Sequence, residues 1–580
     1  MTTSVRSVAG AALGLGLSLG LSLLSVGCGP SESGAPAAQA PAGLVDSFAF
    51  TPAAQQSLAG GSSETPRIGG TMTLAASAEY ATLNNITRTS GASESFCRNY
   101  LFPPLLDLDP DTLELKPLLA ESRQTLAADQ RTYTWKLRSG VFWDKGRADG
   151  TPVEVTTADV DFSWKMAKDP AVLCEAAKST LEPFELLEIV DATTFRVRTR
   201  GKFFRAELEF GYSFRLMPAH LATHDPGAFA KDPLGSAPIG YGPYRFREWK
   251  AGEFIALDRN PDWFAQATLP YYPEQFIVRF VPDLAALPRL FDAGEILYTV
   301  VNDVTQYEQM KRDPAVQARA TFHEYFVPTL NYIVWSERHP AFADARVRTA
   351  MTLLYPRAQV KEKVYLGHAA VISGPWAISA NEYDKSVAPL PTDPARAREL
   401  LAQAGWTDHD GDGLLDKEGQ PFRFTLKHAS TAPPAFITGN LWFQENLRAL
   451  GIEMSTLPVE PRQLFAEQAE RRFDAIEVGW TPDPRDDDLF DRFSSAAAKE
   501  GRNYSGYSDP ECDALLEAYR GEFDDARRLE IAHALHRKLA DEAPHTPLYS
   551  PQPLLLVSTK LRGVKVHRLG ARWYGWWIAP

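Results

Sequence analysis

Cysteine is scarce in this chain: four residues in 580, at Cys28, Cys97, Cys174 and Cys512. None stands in a CxxC pair or beside histidines at zinc-ligand spacing, which excludes the common zinc modules. Histidine is also sparse, 11 residues without clustering, and there is no HExxH segment. A Walker A loop is missing, and so is a GxSxG turn between a strand and a helix. No enzyme constellation of these kinds survives, and no metal or cofactor is expected. Positive charge is in deficit. The 60 Lys and Arg face 73 Asp and Glu, for a net charge of -13 and no basic stripe, which disfavours nucleic acid as a partner. Long apolar runs are confined to the N-terminus, which excludes a polytopic membrane protein.

The N-terminus reads as a secretory signal over residues 1–27. Arg6 is its one charge, an apolar Leu-, Gly- and Ser-rich run spans Ala9 to Val26, and Leu24-Ser25-Val26-Gly27-Cys28 closes it. The box resembles a lipoprotein cleavage site, with small Gly27 before a cysteine that receives lipid at Cys28. Ser25 stands where such boxes usually have Leu. Residues 28–66 are rich in Ala, Pro, Ser and Gly, cannot bury enough surface to order themselves, and read as a tether. The body is therefore expected outside the cytoplasm, anchored to a membrane by lipid.

Hydrophobic residues make up 44% of the chain, enough for more than one core. Tyr133, Trp135 and Leu137 alternate with Thr134, Lys136 and Arg138, so a strand with one buried face is predicted there. A polar loop ends in Asp149-Gly150-Thr151-Pro152. Thr156 or Thr157 then caps a helix whose apolar side carries Val160, Phe162 and Trp164. Gly240-Tyr241-Gly242-Pro243-Tyr244 predicts a tight turn before a hairpin at Ala251-Gly252. Asp344 caps a helix running to Leu354, and Gly405-Trp406 ends an Ala/Leu/Arg-rich helix from Asp393 to Ala404. Asp408, Asp410, Asp412 and Asp416 have EF-hand-like spacing, but Gly419 occupies the twelfth position where a bidentate Glu belongs. A solvated hairpin turn is the reading there.

The segment from Trp143 through Asp149-Gly150, Pro152-Val153, Asp159-Val160 and Phe162-Ser163-Trp164 resembles the signature region of family 5 extracellular solute-binding proteins. These are the dipeptide- and oligopeptide-binding components of ABC importers. Lys145 to Ala148 are an insertion in that pattern. Arg259-Asn260-Pro261-Asp262-Trp263, Gly294-Glu295-Ile296, the helices that open at Asp344 and Asp393, and Tyr507-Ser508-Asp509-Pro510 follow in the family's order. Leu297 departs from it, standing where the family has Asp.

The resemblance implies an α/β, two-lobed periplasmic-binding-protein fold of the large class with an extra subdomain in lobe one. Lobe one would comprise 67–106, 238–325 and 546–580, the inserted subdomain 107–237, and lobe two 326–545, with hinges near His323 to Thr329 and Pro544 to Tyr549. It implies capture of peptides or peptide-like solutes, delivery to ABC permease subunits, no catalysis, and a monomer. A nickel chelate, haem, glutathione or an oligosaccharide is the alternative cargo, and presentation of ligand to a sensor is the alternative role. The ligand residues it implies are Asp483, Trp480, Gly91, Ala92, Glu477 and Tyr549. Asp483, three residues after Trp480, would pair with a ligand's α-ammonium. Glu477 stands where the oligopeptide branch has an Arg for a short peptide's carboxylate. Three cysteines remain after lipidation, and the resemblance favours Cys97–Cys174 as the disulfide, with buried free thiols as the other outcome.

Overall fold

The alternation that begins at Tyr133 folds as the strand Thr132–Lys136, with Tyr133 and Trp135 buried. Leu137 extends it as a single bridge to Ala120. Thr156 is the cap of the helix Thr157–Lys168 and forms a capping box with Asp159. The Asp159 carboxylate also accepts from the Ala219 N–H at 2.9 Å and the Trp143 indole at 3.3 Å. One buried side chain thus starts the helix and pins two other segments against it.

In this computed structural model the described residues are 65–88, 91–483, 485, 487–568 and 570–580. The signal, the Cys28 lipid site and the tether up to residue 64 lie outside them. Among the described residues no helix is long and apolar enough to cross a membrane.

Lobe one holds a sheet in the order Thr71–Ala76, Gln275–Phe280, Phe254–Arg259, Tyr244–Lys250, parallel in its first pair and antiparallel after it. A three-stranded sheet of Tyr298–Val300, Leu554–Ser558 and Ala320–Glu324 brings the C-terminal segment back into the same lobe. The subdomain carries the antiparallel sheet Thr125–Leu126, Thr132–Lys136, Thr194–Thr199, Phe184–Ile189. Its Trp135, Phe195 and Phe210 join Met72, Tyr244 and Trp576 in one continuous apolar core, so subdomain and lobe one pack as a unit.

Lobe two is built on six strands in the order Ala369–Val371, His545–Pro551, Leu330–Trp335, Ala475–Trp480, Arg423–Ala429, Glu453–Val459. Its two faces bury separate cores. One packs under the helices Ala345–Leu354, Pro394–Gln403 and Pro434–Arg448, and the other under Pro510–Gly521 and Asp525–Glu542.

The chain passes between lobes over residues 325–329 and again at Gln552-Pro553. The second crossing corrects the expected boundary at 545/546 and the hinge at Pro544 to Tyr549. The strand His545–Pro551 hydrogen-bonds to Leu330–Trp335 on one side and Ala369–Val371 on the other, so it belongs wholly to lobe two. The expected Cys97–Cys174 disulfide is also corrected, because all three described cysteines are buried free thiols. Cys97 lies in the lobe-one core and donates to the Leu83 carbonyl. Cys174 precedes the helix Glu175–Leu181 and donates to the Ala167 carbonyl.

Candidate functional site

The strand Ala475–Trp480 alternates apolar side chains between the two faces of the lobe-two sheet. Ile476, Val478 and Trp480 enter one core, and Ala475 enters the other. On one side it pairs along its whole length with Leu330–Trp335. On the other, pairing with Arg423–Ala429 is registered only at Leu426/Ala475 and Lys427/Ile476. From Glu477 to Trp480 that edge has no partner strand among the described residues, and Gly479 is exposed. An unpaired strand edge offers main-chain donors and acceptors to an added extended segment.

The edge leads into the loop that carries Asp483. The Asp483 carboxylate accepts from Arg205 Nη2 at 2.6 Å, and Arg205 belongs to lobe one. The same guanidinium donates through Nε and Nη2 to Glu209, at 3.2 and 2.6 Å. Burial works against the Arg205 charge. Glu209, Asp483, Asp487 and Asp488 nonetheless hold its pKa well above the ordinary value. Asp487 accepts from the Asp483 N–H at 3.2 Å, and burial pushes its carboxyl up to about 6 against the pull of Arg492. Arg520 donates to Asp488 at 2.8 Å and lies over the Phe490 ring. Further contacts stitch the junction. Arg485 donates to the Leu113 carbonyl at 3.0 Å, the Phe204 ring meets the edge of Tyr519 at 5.2 Å, and Arg528 covers Phe204 at 4.2 Å.

The six expected ligand residues do not assemble in one place. Asp483 stands at the junction. Trp480 is buried in the core below it, its ring covered by the Arg492 guanidinium 3.2 Å from the centroid. Gly91 and Ala92 begin the short helix Gly91–Phe96 in lobe one. Glu477 and Tyr549 lie on the other side of the lobe-two sheet from Trp480. Glu477 is an odd number of residues from Trp480 and so points to the opposite face of the sheet. There it is 2% exposed and accepts from the Asn440 amide at 2.5 Å, and Tyr549 packs its ring on Tyr365 in the same core. Arg205, Asp487 and Arg492 were not anticipated. Nothing in Phe203-Phe204-Arg205 or Asp487-Asp488 announces a contact between segments nearly 300 positions apart.

Burial pushes the Glu477 carboxyl up to about 8, opposed only by the Asn440 hydrogen bond. Raised in this way above the ordinary 4.5, the carboxyl is held protonated in the folded state at neutral pH. Its contribution to stability is complete below that ordinary value and is lost as pH climbs through about 8. Each tenfold change in proton affinity between the folded and unfolded chain is worth about 1.4 kcal/mol. Glu477→Gln is expected to match the parent at pH 4 and to exceed it by up to roughly 4 kcal/mol at pH 8. Denaturant unfolding at the two pH values checks this, and a pH-independent difference would contradict it.

The carboxylates of Asp408, Asp410 and Asp416 come within 4.8 Å of one another. Asp408 accepts from the Gly411 and Gly413 N–H groups, Asp410 from that of Asp412, and Asp416 from that of His409. Their oxygens are engaged in shaping the turn, with Asp408 and Asp410 exposed.

Residues 114–501 match the family model described as bacterial extracellular solute-binding proteins, family 5 Middle. The chain is similar to the oligopeptide-binding protein AppA of Bacillus subtilis, 28% identical over 528 residues, covering 89% of this chain and 92% of that protein. The structure of AppA in complex with a nonapeptide superposes with a TM-score of 0.71 at 27% identity, over 89% of this chain and 100% of the other. NikA of Brucella suis in complex with Fe(III)-EDTA shares the fold, with a TM-score of 0.72 at 21% identity over 88% of this chain and 100% of that one.

Proposed function

Because the chain belongs to family 5 of the bacterial extracellular solute-binding proteins, we propose that it captures a peptide or peptide-like solute between its lobes and delivers it to an ABC importer. The observation that carries this reading is the open edge of the strand Ala475–Trp480, ending beside Asp483 at the lobe junction. An extended peptide can complete the edge through main-chain hydrogen bonds, which read length and direction rather than sequence. Its α-ammonium then reaches a carboxylate that a second lobe covers. Water filling the remaining side-chain space accommodates many residues at little cost.

The two crossings, 325–329 and Gln552-Pro553, are the points where the lobes hinge. A ligand favours the closed form only by the extra contacts it makes there. No step of this activity is chemical. The relatives support peptides as cargo: AppA is named an oligopeptide-binding protein, and its structure holds a nonapeptide. We place the protein outside the cytoplasm as a monomer held to a membrane through lipid on Cys28, on the strength of the Leu24-to-Cys28 box.

Native mass spectrometry of the detergent-extracted protein tests both parts. Co-purified masses that dissociate as peptides, on a chain beginning at Cys28 with a diacylglycerol increment, are the expected result. A metal chelate, haem, glutathione or sugar in their place would replace the cargo. An unmodified Cys28 would remove the anchor.

A further inference from the structure

Three arginines of lobe one converge on a single carboxylate oxygen. Glu94 Oε1 lies 3.6 Å from Arg88 Nη2, 3.6 Å from Arg98 Nη1 and 3.7 Å from Arg215 Nη2. Among the described residues no other carboxylate comes within 4.0 Å of any of the three guanidiniums. Arg98 and Arg215 are 5% and 3% exposed. Three positive charges thus meet one negative charge in a largely buried place, and unpaired buried charge is costly.

The donors there are under-used. Arg215 Nη1 donates to the carbonyls of Tyr212 and Phe214, but its Nε and Nη2 make no hydrogen bond. Neither does Arg98 Nε, nor the buried hydroxyl of Tyr212, whose ring lies 4.7 Å from the Arg98 guanidinium and 5.7 Å from that of Arg215. Burial lowers the Arg215 pKa to about 9 even with Glu94 opposing it, a further sign that the site is short of negative charge. A protein interior that holds idle guanidinium donors facing one shared carboxylate has room in its charge balance for an anion. Guanidinium forks match planar or tetrahedral oxyanions through paired N–H bonds.

We infer that Arg88, Arg98 and Arg215 form a binding site for an oxyanion. Two sources share this chemistry: the terminal carboxylate of a captured ligand, which rests on the proposed function, and a free inorganic oxyanion, which does not. Gly91 and Ala92, between Arg88 and Glu94 in the chain, are then beside the anion rather than the ammonium end of the site.

The experiment uses the full protein refolded free of bound ligand. Trialanine and its C-terminal amide are titrated by calorimetry, and sodium sulfate is compared with sodium chloride at equal ionic strength in thermal melts. A ligand carboxylate as the source predicts that amidation costs the parent at least tenfold in affinity and the Arg98→Gln variant less than twofold. A free anion predicts a saturable sulfate-specific rise in melting temperature that Arg98→Gln abolishes, with amidation neutral. Glu94→Gln removes the competing carboxylate and is expected to strengthen the observed effect at least threefold, so the site remains testable if Arg98→Gln does not fold. If neither peptide binds, the peptide reading fails and the sulfate arm alone decides the site. Equal responses of parent and variants to both probes would overturn the inference.

Discussion

Asp483→Ala is expected to weaken binding of a peptide with a free N-terminus at least tenfold, about 1.4 kcal/mol. Truncating one partner of a desolvated charge pair typically costs about 2–5 kcal/mol, and the Asp483 side chain, 17% exposed, retains some water. Asp483 already accepts one hydrogen bond from Arg205, but a carboxylate offers several acceptor positions, so an ammonium can share it. Arg205 keeps Glu209 in the variant, which confines the damage. The pair crosses from lobe to lobe, so its loss also removes a contact favouring closure. The N-acetylated peptide separates the two effects. It should bind the parent poorly, because it brings no charge to Asp483, and any further loss in the variant measures closure alone. Calorimetry on the four combinations reads both. Equal affinities for the free and acetylated peptides would take Asp483 out of the site and turn the cargo away from peptides.

Arg348→Ala is expected to destabilise the protein by about 3–5 kcal/mol. Arg348 lies in the helix Ala345–Leu354 and is fully buried. Nη1 donates to the carbonyls of Phe342 and Ala343 at 2.8 and 3.3 Å, and Nη2 to that of Glu542 at 3.1 Å. Glu542 ends the helix Asp525–Glu542, and Ala543 follows with φ of 40°, a left-handed turn that a non-glycine residue holds at some strain. Arg348 therefore ties a helix end and the chain leading to His545–Pro551 onto a second helix. The variant leaves three carbonyls without their donor. It also removes the guanidinium 3.4 Å from Glu337, whose carboxyl burial already pushes up to about 8. Arg348→Lys should recover only part of the loss, since a point charge cannot reach three acceptors in a fork. Guanidinium chloride unfolding measures both, and a loss under about 1 kcal/mol for the Ala variant would show that water replaces these bonds.

Much of the fold was legible because it depends on short-range pattern. The alternation from Tyr133 to Leu137, the cap at Thr156, the Asp344 cap and the helix that follows Asp393 are properties of nearby residues, and each appears where the sequence places it. The order of motifs carried the family and, with it, the two lobes. The candidate site residues were legible only as far as they are local. Asp483 stands out by its spacing to Trp480, but its partner Arg205 lies 278 positions away. Glu477 holds a position where the resemblance implied a ligand contact, while strand alternation turns it from the face that Trp480 occupies. The side-chain period decides where it points, and family position does not.

The sequence by itself determined elements such as the strand at Tyr133 and the helices after Thr156 and Asp344, because hydrophobic period and capping act within a few residues, and the resemblance of its motifs pointed to the family of lobes. The tertiary structure alone decided three things. It put His545–Pro551 in lobe two, since a strand's sheet is set by its hydrogen-bonded neighbours. It left Cys97 and Cys174 as free thiols within the same lobe-one core, donating to the carbonyls of Leu83 and Ala167. It brought Arg205 to Asp483, and Arg88, Arg98 and Arg215 to Glu94. Electrostatic partners are chosen by distance through space, and one chain position carries no record of what folding will place beside it.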